Sequence, residues 1–71
     1  MMQLREQLER LIEDLVARGV GYDEAQREFE KRYITHVLTR SGGNLGRAAD
    51  LLGMHRNTLS RKLAEHRLRR S

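Results

Sequence analysis

The 71-residue chain contains no cysteine, no proline and no tryptophan. Without cysteine there is no disulfide framework and no thiol chemistry, which fits a reducing cytoplasm. Without proline, and with no run of alternating apolar and polar residues, nothing in the composition competes with helices. One Phe and two Tyr are the aromatic residues, so aliphatic and alanine side chains must supply most of the core. These absences favour a small all-α domain.

The chain also lacks any apolar run of membrane-spanning length, and it is charged from Arg5 onward. Both features argue against a transmembrane anchor or a signal peptide, so we expect a location in the cytoplasm. A chain of this length forms one domain at most, and its small core would gain from a subunit interface. Because it begins with Met1 and has no linker before Leu4, we expect the domain to be a complete chain.

The N-terminal part predicts an amphipathic helix over about residues 3–18. Leucines recur at positions 4, 8, 11 and 15, which is a heptad-like spacing, and Ile12 widens the apolar stripe. Gly19 is the expected stop. Such a seam packs either within one chain or between subunits. Because the chain is short and the spacing is heptad-like, we predict a homodimer. Its predicted interface residues, including two aromatic residues further along the chain, are Leu4, Leu8, Leu11, Ile12, Leu15, Phe29 and Tyr33.

A second helix is predicted over about residues 23–41. Asp23 is the expected N-cap, with Gln26 three residues later as its capping-box partner. The helix carries two adjacent apolar rows, one through Phe29 and Tyr33 and one around residues 34–38. Two apolar rows predict two contacts, with the first helix on one side and the C-terminal helices on the other.

Residues 43–63 predict a helix-turn-helix. A short helix over residues 45–52 contains small alanines, which allow a close helix crossing, and Asn44 is placed to cap it. Gly53 can adopt the positive φ that a sharp turn requires. A second helix then runs over residues 56–66, the position of the element that enters the major groove of DNA in this motif.

Charge is divided unevenly along the chain. Residues 1–43 carry seven Lys/Arg and eight Asp/Glu, a net charge of −1, whereas residues 44–71 carry seven Lys/Arg and two Asp/Glu, a net charge of +5. A concentrated basic patch is the footprint expected for a polyanion. With Leu59 and Leu63 facing inward, helical geometry directs Asn57 and Arg61 outward. The candidate DNA-binding residues on this helix and just before it are His55, Arg56, Asn57, Thr58, Ser60, Arg61 and Lys62.

These residue types suit contacts with DNA, but they leave open which of them reads bases. Arginine binds guanine edges or phosphates, asparagine suits adenine, and serine and threonine bind phosphates. Catalysis has no support in the sequence, because His36, His55 and His66 lack zinc-ligand spacing and the serines lack a nucleophile context. We therefore expect no enzyme activity, metal, cofactor or small-molecule ligand.

With these residues in view, the chain resembles the Fis family of bacterial DNA-binding proteins and the related C-terminal domains of enhancer-binding activators. The resemblance covers residues 33–68 and is specific in GN, RAADLLG, RNTL and RKL at that family's spacing. It implies a four-helix protomer that dimerises through its first two helices and bends DNA. It also implies DNA contacts at Asn44, Gly46, Arg47, His55, Arg56, Thr58, Ser60, Arg61 and Lys62, although Gly46 and Ser60 lack the longer or charged side chains of the best-known member.

The resulting expectation is a single domain over residues 1–71, with dimerisation helices over 1–41, the helix-turn-helix over 44–66 and a basic tail over 67–71. We expect a homodimeric, sequence-selective protein that binds double-stranded DNA and acts either in transcription regulation or as a nucleoid-associated protein. One alternative is the DNA-binding domain of a larger enhancer-binding activator. Another, of a different class, is a helical module that binds an acidic protein or RNA.

Overall fold

The computed structural model of the chain describes residues 3–68 and has the predicted all-α fold. Within that range the chain forms four helices: α1 (Leu4–Ala17), α2 (Tyr22–Arg40), α3 (Leu45–Leu52) and α4 (Arg56–His66). The predicted bounds of α3 and α4 are confirmed, and those of α1 and α2 differ by one residue at each end. Most of the predicted basic tail, residues 69–71, lies outside the described residues.

The core lies where α3 packs against α2 on one side and α4 on the other. Its centre is formed by alanines of α3, since Ala48 and Ala49 are almost completely buried. A small side chain at these positions lets the helices approach closely, as the sequence predicted. The remaining buried apolar residues come from all three helices: Ile34 and Leu38 from α2, Leu45 from α3, and Leu59 and Leu63 from α4.

The turn between α3 and α4 has the predicted geometry. Gly53 adopts a left-handed conformation with φ of +70°, and the Met54 amide then donates to the Ala49 carbonyl over 3.0 Å. This closes α3 with the bond pattern of a glycine-terminated helix. Met54 packs against the core, so the turn is fixed to the rest of the domain.

The predicted cap of α2 is wrong. Gly21, rather than Asp23, occupies the N-cap position, and no side chain accepts a hydrogen bond there. The helix extends far enough to include Tyr22, which moves Asp23 into the first turn. There Asp23 and Glu24 still interact favourably with the positive end of the helix dipole.

Helix α1 contributes nothing to the core of the protomer. None of its residues is buried, although the helix is strongly amphipathic. Leu8 and Leu11 are each 45% exposed. Leu11 and Leu15 line an open groove together with Phe29, Tyr33 and other residues of α2 and α3. The first helix therefore forms as predicted, but in a single protomer its apolar side remains largely uncovered.

Candidate nucleic-acid interface

Helix α4 has a buried side and a polar, exposed side. Leu59 and Leu63 are buried against the core, and the opposite side presents Asn57 and Arg61 to solvent. Arg56 begins the helix and is exposed. Of the flanking residues, Ser60 is exposed and Thr58 is partly buried. The helix thus projects a ridge of hydrogen-bond donors and cations away from the body of the domain.

His55 is the N-cap of α4, a role that the sequence did not predict. Its Nδ1 atom accepts a hydrogen bond from the Asn57 amide over 3.0 Å. Because an imidazole nitrogen that accepts cannot carry a proton, the neutral ring has its proton on Nε2. The cap therefore fixes the tautomer and leaves an exposed N–H donor at the start of the helix.

Asn44 caps α3, as predicted, and the cap determines which group of its side chain is left to bind a ligand. Its Oδ1 atom accepts from the Arg47 amide over 3.0 Å, so the side-chain amide remains as the donor. Arg47 is exposed in the first turn of α3. Gly46 is partly buried beside them, and a Cβ added there would lie 3.5 Å from the Asn44 Oδ1 atom, an ordinary contact.

A shallow hollow lies between α3 and the start of α4. It places the backbone at Gly46 near the side chains that begin α4, namely His55, Arg56 and Asn57. Asp50 lines the same hollow and is exposed. Its carboxylate would repel a phosphate, which favours the α4 end of the hollow over the α3 side for a negatively charged ligand.

The cations of α4 are not equivalent. Arg56 makes no ion pair with any group within residues 3–68. Arg61 lies 3.9 Å from Glu65, but both side chains are more than half exposed, so this pair is weak. Lys62 is different, because its ammonium lies 3.2 Å from Glu30 of α2 and its side chain is 27% exposed.

Glu30 and His66 are functional candidates that the sequence analysis missed. His66 Nε2 lies 2.9 Å from the same Glu30 oxygen that binds Lys62. The hydrogen bond with His66 is the main cause of a lowered Glu30 pKa, opposed by burial and assisted by Lys62. The local signal was the i,i+4 spacing of Lys62 and His66, but their partner lies more than thirty residues away in sequence.

The predicted dimer residues lie together on one side of the protomer. The rings of Phe29 and Tyr33 contact each other at a tilt of 49°, with centroids 5.6 Å apart, and both side chains remain about half exposed. They form the floor of the groove, and Leu51 of α3 lines it as well. Leu4, Leu8 and Ile12 continue the apolar surface along α1.

The described part of the chain shows two further absences. Residues 3–68 contain no group of three or more His, Cys, Asp or Glu side chains that could hold a metal ion. Over the same range, the helices lack the combination of length and apolar character that crossing a bilayer requires.

The fold and the exposed basic side of α4 define the class of the protein, a helix-turn-helix regulatory domain. Residues 25–66, more than half of the chain, match the family described as bacterial regulatory protein, Fis family. The chain belongs to this family, whose members are regulators and not enzymes. No solved structure matches the chain at a significant level.

Individual relatives extend the comparison. A putative Fis-like DNA-binding protein of Neisseria meningitidis is 38% identical over 68 residues, which is 92% of this chain and 85% of that protein. One of the same description from Xylella fastidiosa is 47% identical over 47 residues, 66% of this chain and 52% of that protein. The DNA-binding transcriptional regulator NtrC of Rhizobium meliloti is 48% identical over 44 residues, 62% of this chain and only 9% of that protein.

Proposed function

We propose that the chain is a homodimeric, sequence-selective DNA-binding protein that regulates transcription in the bacterial nucleoid and bends its target. The observation that carries the DNA-binding part is the geometry of α4: its apolar side is fixed to the core, its opposite side presents Asn57 and Arg61, and Arg56 is exposed where the helix begins. This is the arrangement with which helix-turn-helix proteins read the major groove. The names of the relatives support the same partner.

The proposed contact surface combines the exposed side of α4 with the capped start of α3. Arginine side chains, together with amides at the helix starts, would bind phosphates and fix the register of the protein on the duplex. Asn57 and the two arginines of α4 are best placed to reach base edges. The residues of this surface are Asn44, Arg47, His55, Arg56, Asn57, Thr58, Ser60 and Arg61. The remaining predicted residue, Lys62, is paired with Glu30 and stands apart from this surface.

Fluorescence anisotropy with a labelled duplex tests this proposal. Affinity should fall steeply as salt is raised, because neutralised phosphates release their counterions. The double variant Arg56→Ala/Arg61→Ala should lose at least tenfold in affinity and give a shallower salt dependence. An absence of wild-type binding at ~50 mM salt would refute the proposal, since electrostatic binding is strong at that concentration.

The matched control is Arg5→Ala/Arg10→Ala. It removes the same charge from exposed positions of α1, away from the helix-turn-helix. Duplex binding by this variant should remain within about twofold of wild type, because charges beyond a Debye length are screened. Equal losses in both double variants would indicate a non-specific electrostatic interaction. Binding to RNA or an acidic protein without duplex binding would support the helical-module alternative.

The dimer part of the proposal is supported by the uncovered apolar surface. Contiguous patches of this kind are rare on monomers and mark interaction sites. The surface joins the stripe of α1 with the groove floor at Phe29 and Tyr33. Arginines that line the groove, including Arg32 and Arg40, complement the acidic residues of α1 in a second copy. A second copy of the chain is therefore the occupant that fits best.

Sedimentation analysis tests the dimer. Wild type should run as a dimer at micromolar concentration, and Leu8→Asp/Leu11→Asp should run as a monomer, because the interface would have to bury two carboxylates. Ala17→Asp, which adds a carboxylate on the side of α1 opposite these leucines, is the control and should remain dimeric. A monomeric wild type would refute the dimer.

DNA bending is supported by family resemblance and by the expected presence of two helix-turn-helix units in one dimer. Energy transfer between dyes at the ends of a 30-base-pair duplex measures it; binding should shorten the end-to-end distance, whereas an unchanged distance would refute bending. The small share of NtrC that the chain matches favours a second possibility, that this domain serves as the DNA-binding part of a larger regulator.

A further inference from the structure

One carboxylate joins the dimerisation helix α2 to the reading helix α4. A single oxygen of Glu30 lies 3.2 Å from the Lys62 ammonium and 2.9 Å from His66 Nε2. Lys62 and His66 are one helical turn apart, so both side chains reach the same acceptor from one side of α4. The three residues form a polar cluster, the Glu30 cluster, at the junction of the two functional parts of the protomer.

The Glu30 cluster is more enclosed than the other ion pairs within residues 3–68. The side chains of Glu30, Lys62 and His66 are 32%, 27% and 7% exposed, whereas those of Arg61 and Glu65 are 70% and 56% exposed. Partial enclosure reduces screening by water and salt, so the attraction between Glu30 and Lys62 is weakened less by salt than that of the exposed pairs. The hydrogen bond from His66 also fixes the orientation of the carboxylate.

Lys62 therefore has two possible partners with the same chemistry. A phosphate oxygen and the Glu30 carboxylate both accept charge-assisted hydrogen bonds from an ammonium group. Lys62 is attached to the reading helix, next to the exposed Arg61. An ammonium held on an enclosed carboxylate, with its charge neutralised there, gains less from binding a phosphate than a free one does.

We propose that Glu30 is a positioning residue that holds Lys62 away from DNA and so limits affinity. This inference rests on the proposed DNA binding. It assigns to Glu30 of α2 the role of restraining the Lys62 side chain of α4. In the wild-type protein Lys62 contributes little to phosphate binding. Removing the charge of Glu30 releases the ammonium and adds one phosphate contact per protomer.

The test is Glu30→Gln, which keeps an oxygen acceptor for both partners and removes the charge. Duplex affinity should rise on the order of threefold for each released lysine at ~50 mM salt, the range found for partly screened ion pairs. The plot of log affinity against log salt should steepen by about 0.9 for each new phosphate contact. Glu28→Gln is the control, because it removes the same charge from the same helix at a carboxylate that pairs with Arg32. Its salt slope should equal that of wild type.

A double-mutant cycle separates release of Lys62 from a general change in charge. In a Lys62→Ala background, Glu30→Gln should leave both affinity and salt slope unchanged. A gain of the same size in that background would overturn the proposal, as would weaker binding by Glu30→Gln in the wild-type background. The single variant Lys62→Ala provides a test that does not require Glu30→Gln to fold. It should keep the wild-type salt slope, and a slope shallower by about 0.9 per protomer would show that Lys62 already binds phosphate.

These results are distinguishable from a failure of the proposed function. If wild type does not bind duplex DNA at all, the proposed function fails. If wild type binds and Glu30→Gln binds with unchanged affinity and slope, only the role of Glu30 fails. Far-ultraviolet circular dichroism of each variant confirms that the helices are retained before affinities are compared.

Discussion

Ala49 shows how a single small residue sets the geometry of the helix-turn-helix. It is 2% exposed at the crossing of α3 with its neighbours, while Asp50 beside it is exposed. Ala49→Leu inserts a larger side chain into a packed core and should lower the free energy of unfolding by about 1–3 kcal/mol. Urea unfolding measures this loss. Asp50→Leu, the control, introduces the same leucine side chain at an exposed position and should change the free energy of unfolding by less than about 0.5 kcal/mol. Equal losses in the two variants would contradict the packing argument.

Glu30 gives the protein a specific pH dependence of stability. Because its pKa is lowered in the folded state, chiefly by the hydrogen bond with His66, the ionised carboxylate favours folding above its unfolded pKa. That contribution is lost as the pH falls through the folded pKa. Wild type should therefore be more stable than Glu30→Gln at pH 6, and the difference should shrink as the pH falls below the ordinary glutamate value of 4.5. Urea unfolding at a series of pH values tests this. Glu28→Gln should run parallel to wild type, and a constant gap between wild type and Glu30→Gln would contradict the prediction.

At the scale of residues, the sequence predicted contacts between neighbours in the chain and missed contacts between residues that only folding brings together. The Asn44 cap reaches three residues along the chain, so its geometry follows from residue type and position. Asp23 also fitted a capping pattern, but α2 starts one residue earlier and Gly21 takes that position. The contacts of Glu30 with α4 depend on how α2 and α4 pack, and no short-range pattern encodes that packing.

The end of α4 contains a backbone conformation that its residue does not favour. Arg67 closes the helix with φ of +56°, in the left-handed region that glycine usually occupies. The Leu68 amide then donates to the Leu63 carbonyl over 2.8 Å, and Leu68 packs against the core. The strained residue is thus held between a helix and an apolar anchor.

Replacing Arg67 should stabilise this helix end. Arg67→Gly removes the left-handed penalty, partly offset by the greater freedom of glycine in the unfolded chain, and should raise the free energy of unfolding by about 0.5–1 kcal/mol. Arg67→Ala removes the same charge and keeps the penalty, so it should give no gain. Thermal unfolding followed by circular dichroism compares the two variants. A gain from Arg67→Ala equal to that from Arg67→Gly would assign the effect to charge and not to backbone strain.

Helices as elements were predictable because their signals are periodic and repeated. The alanines, Gly53 and the leucines of α4 gave the helix-turn-helix with its bounds, since each of these residues fixes a local conformation or a buried position. The stripe of α1 likewise predicted a helix. Periodicity reports that a side is apolar, but it does not say what covers it. The groove, which Leu51 of α3 lines together with residues of α1 and α2, therefore became visible only in the three-dimensional structure.

For the molecule as a whole, the core and the apolar surface of α1 serve different purposes. The core joins α2, α3 and α4 within one protomer, and α1 has no buried residue there. If a second copy covers α1 and the groove, as we propose, folding and association are linked. The stability of the protein then depends on its own concentration.

This linkage predicts a concentration-dependent melting temperature. Each tenfold rise in protein concentration favours a dimer by about 1.4 kcal/mol, which for a dimer of this size raises the midpoint by about 3–5 °C. Calorimetry between 5 and 500 μM, a range of about two decades, measures the shift. The monomeric variant Leu8→Asp/Leu11→Asp should melt at a lower temperature that does not change with concentration. A wild-type midpoint that is constant over the same range would contradict the linkage, and it would leave α1 as a helix whose apolar side is covered by something other than a second copy.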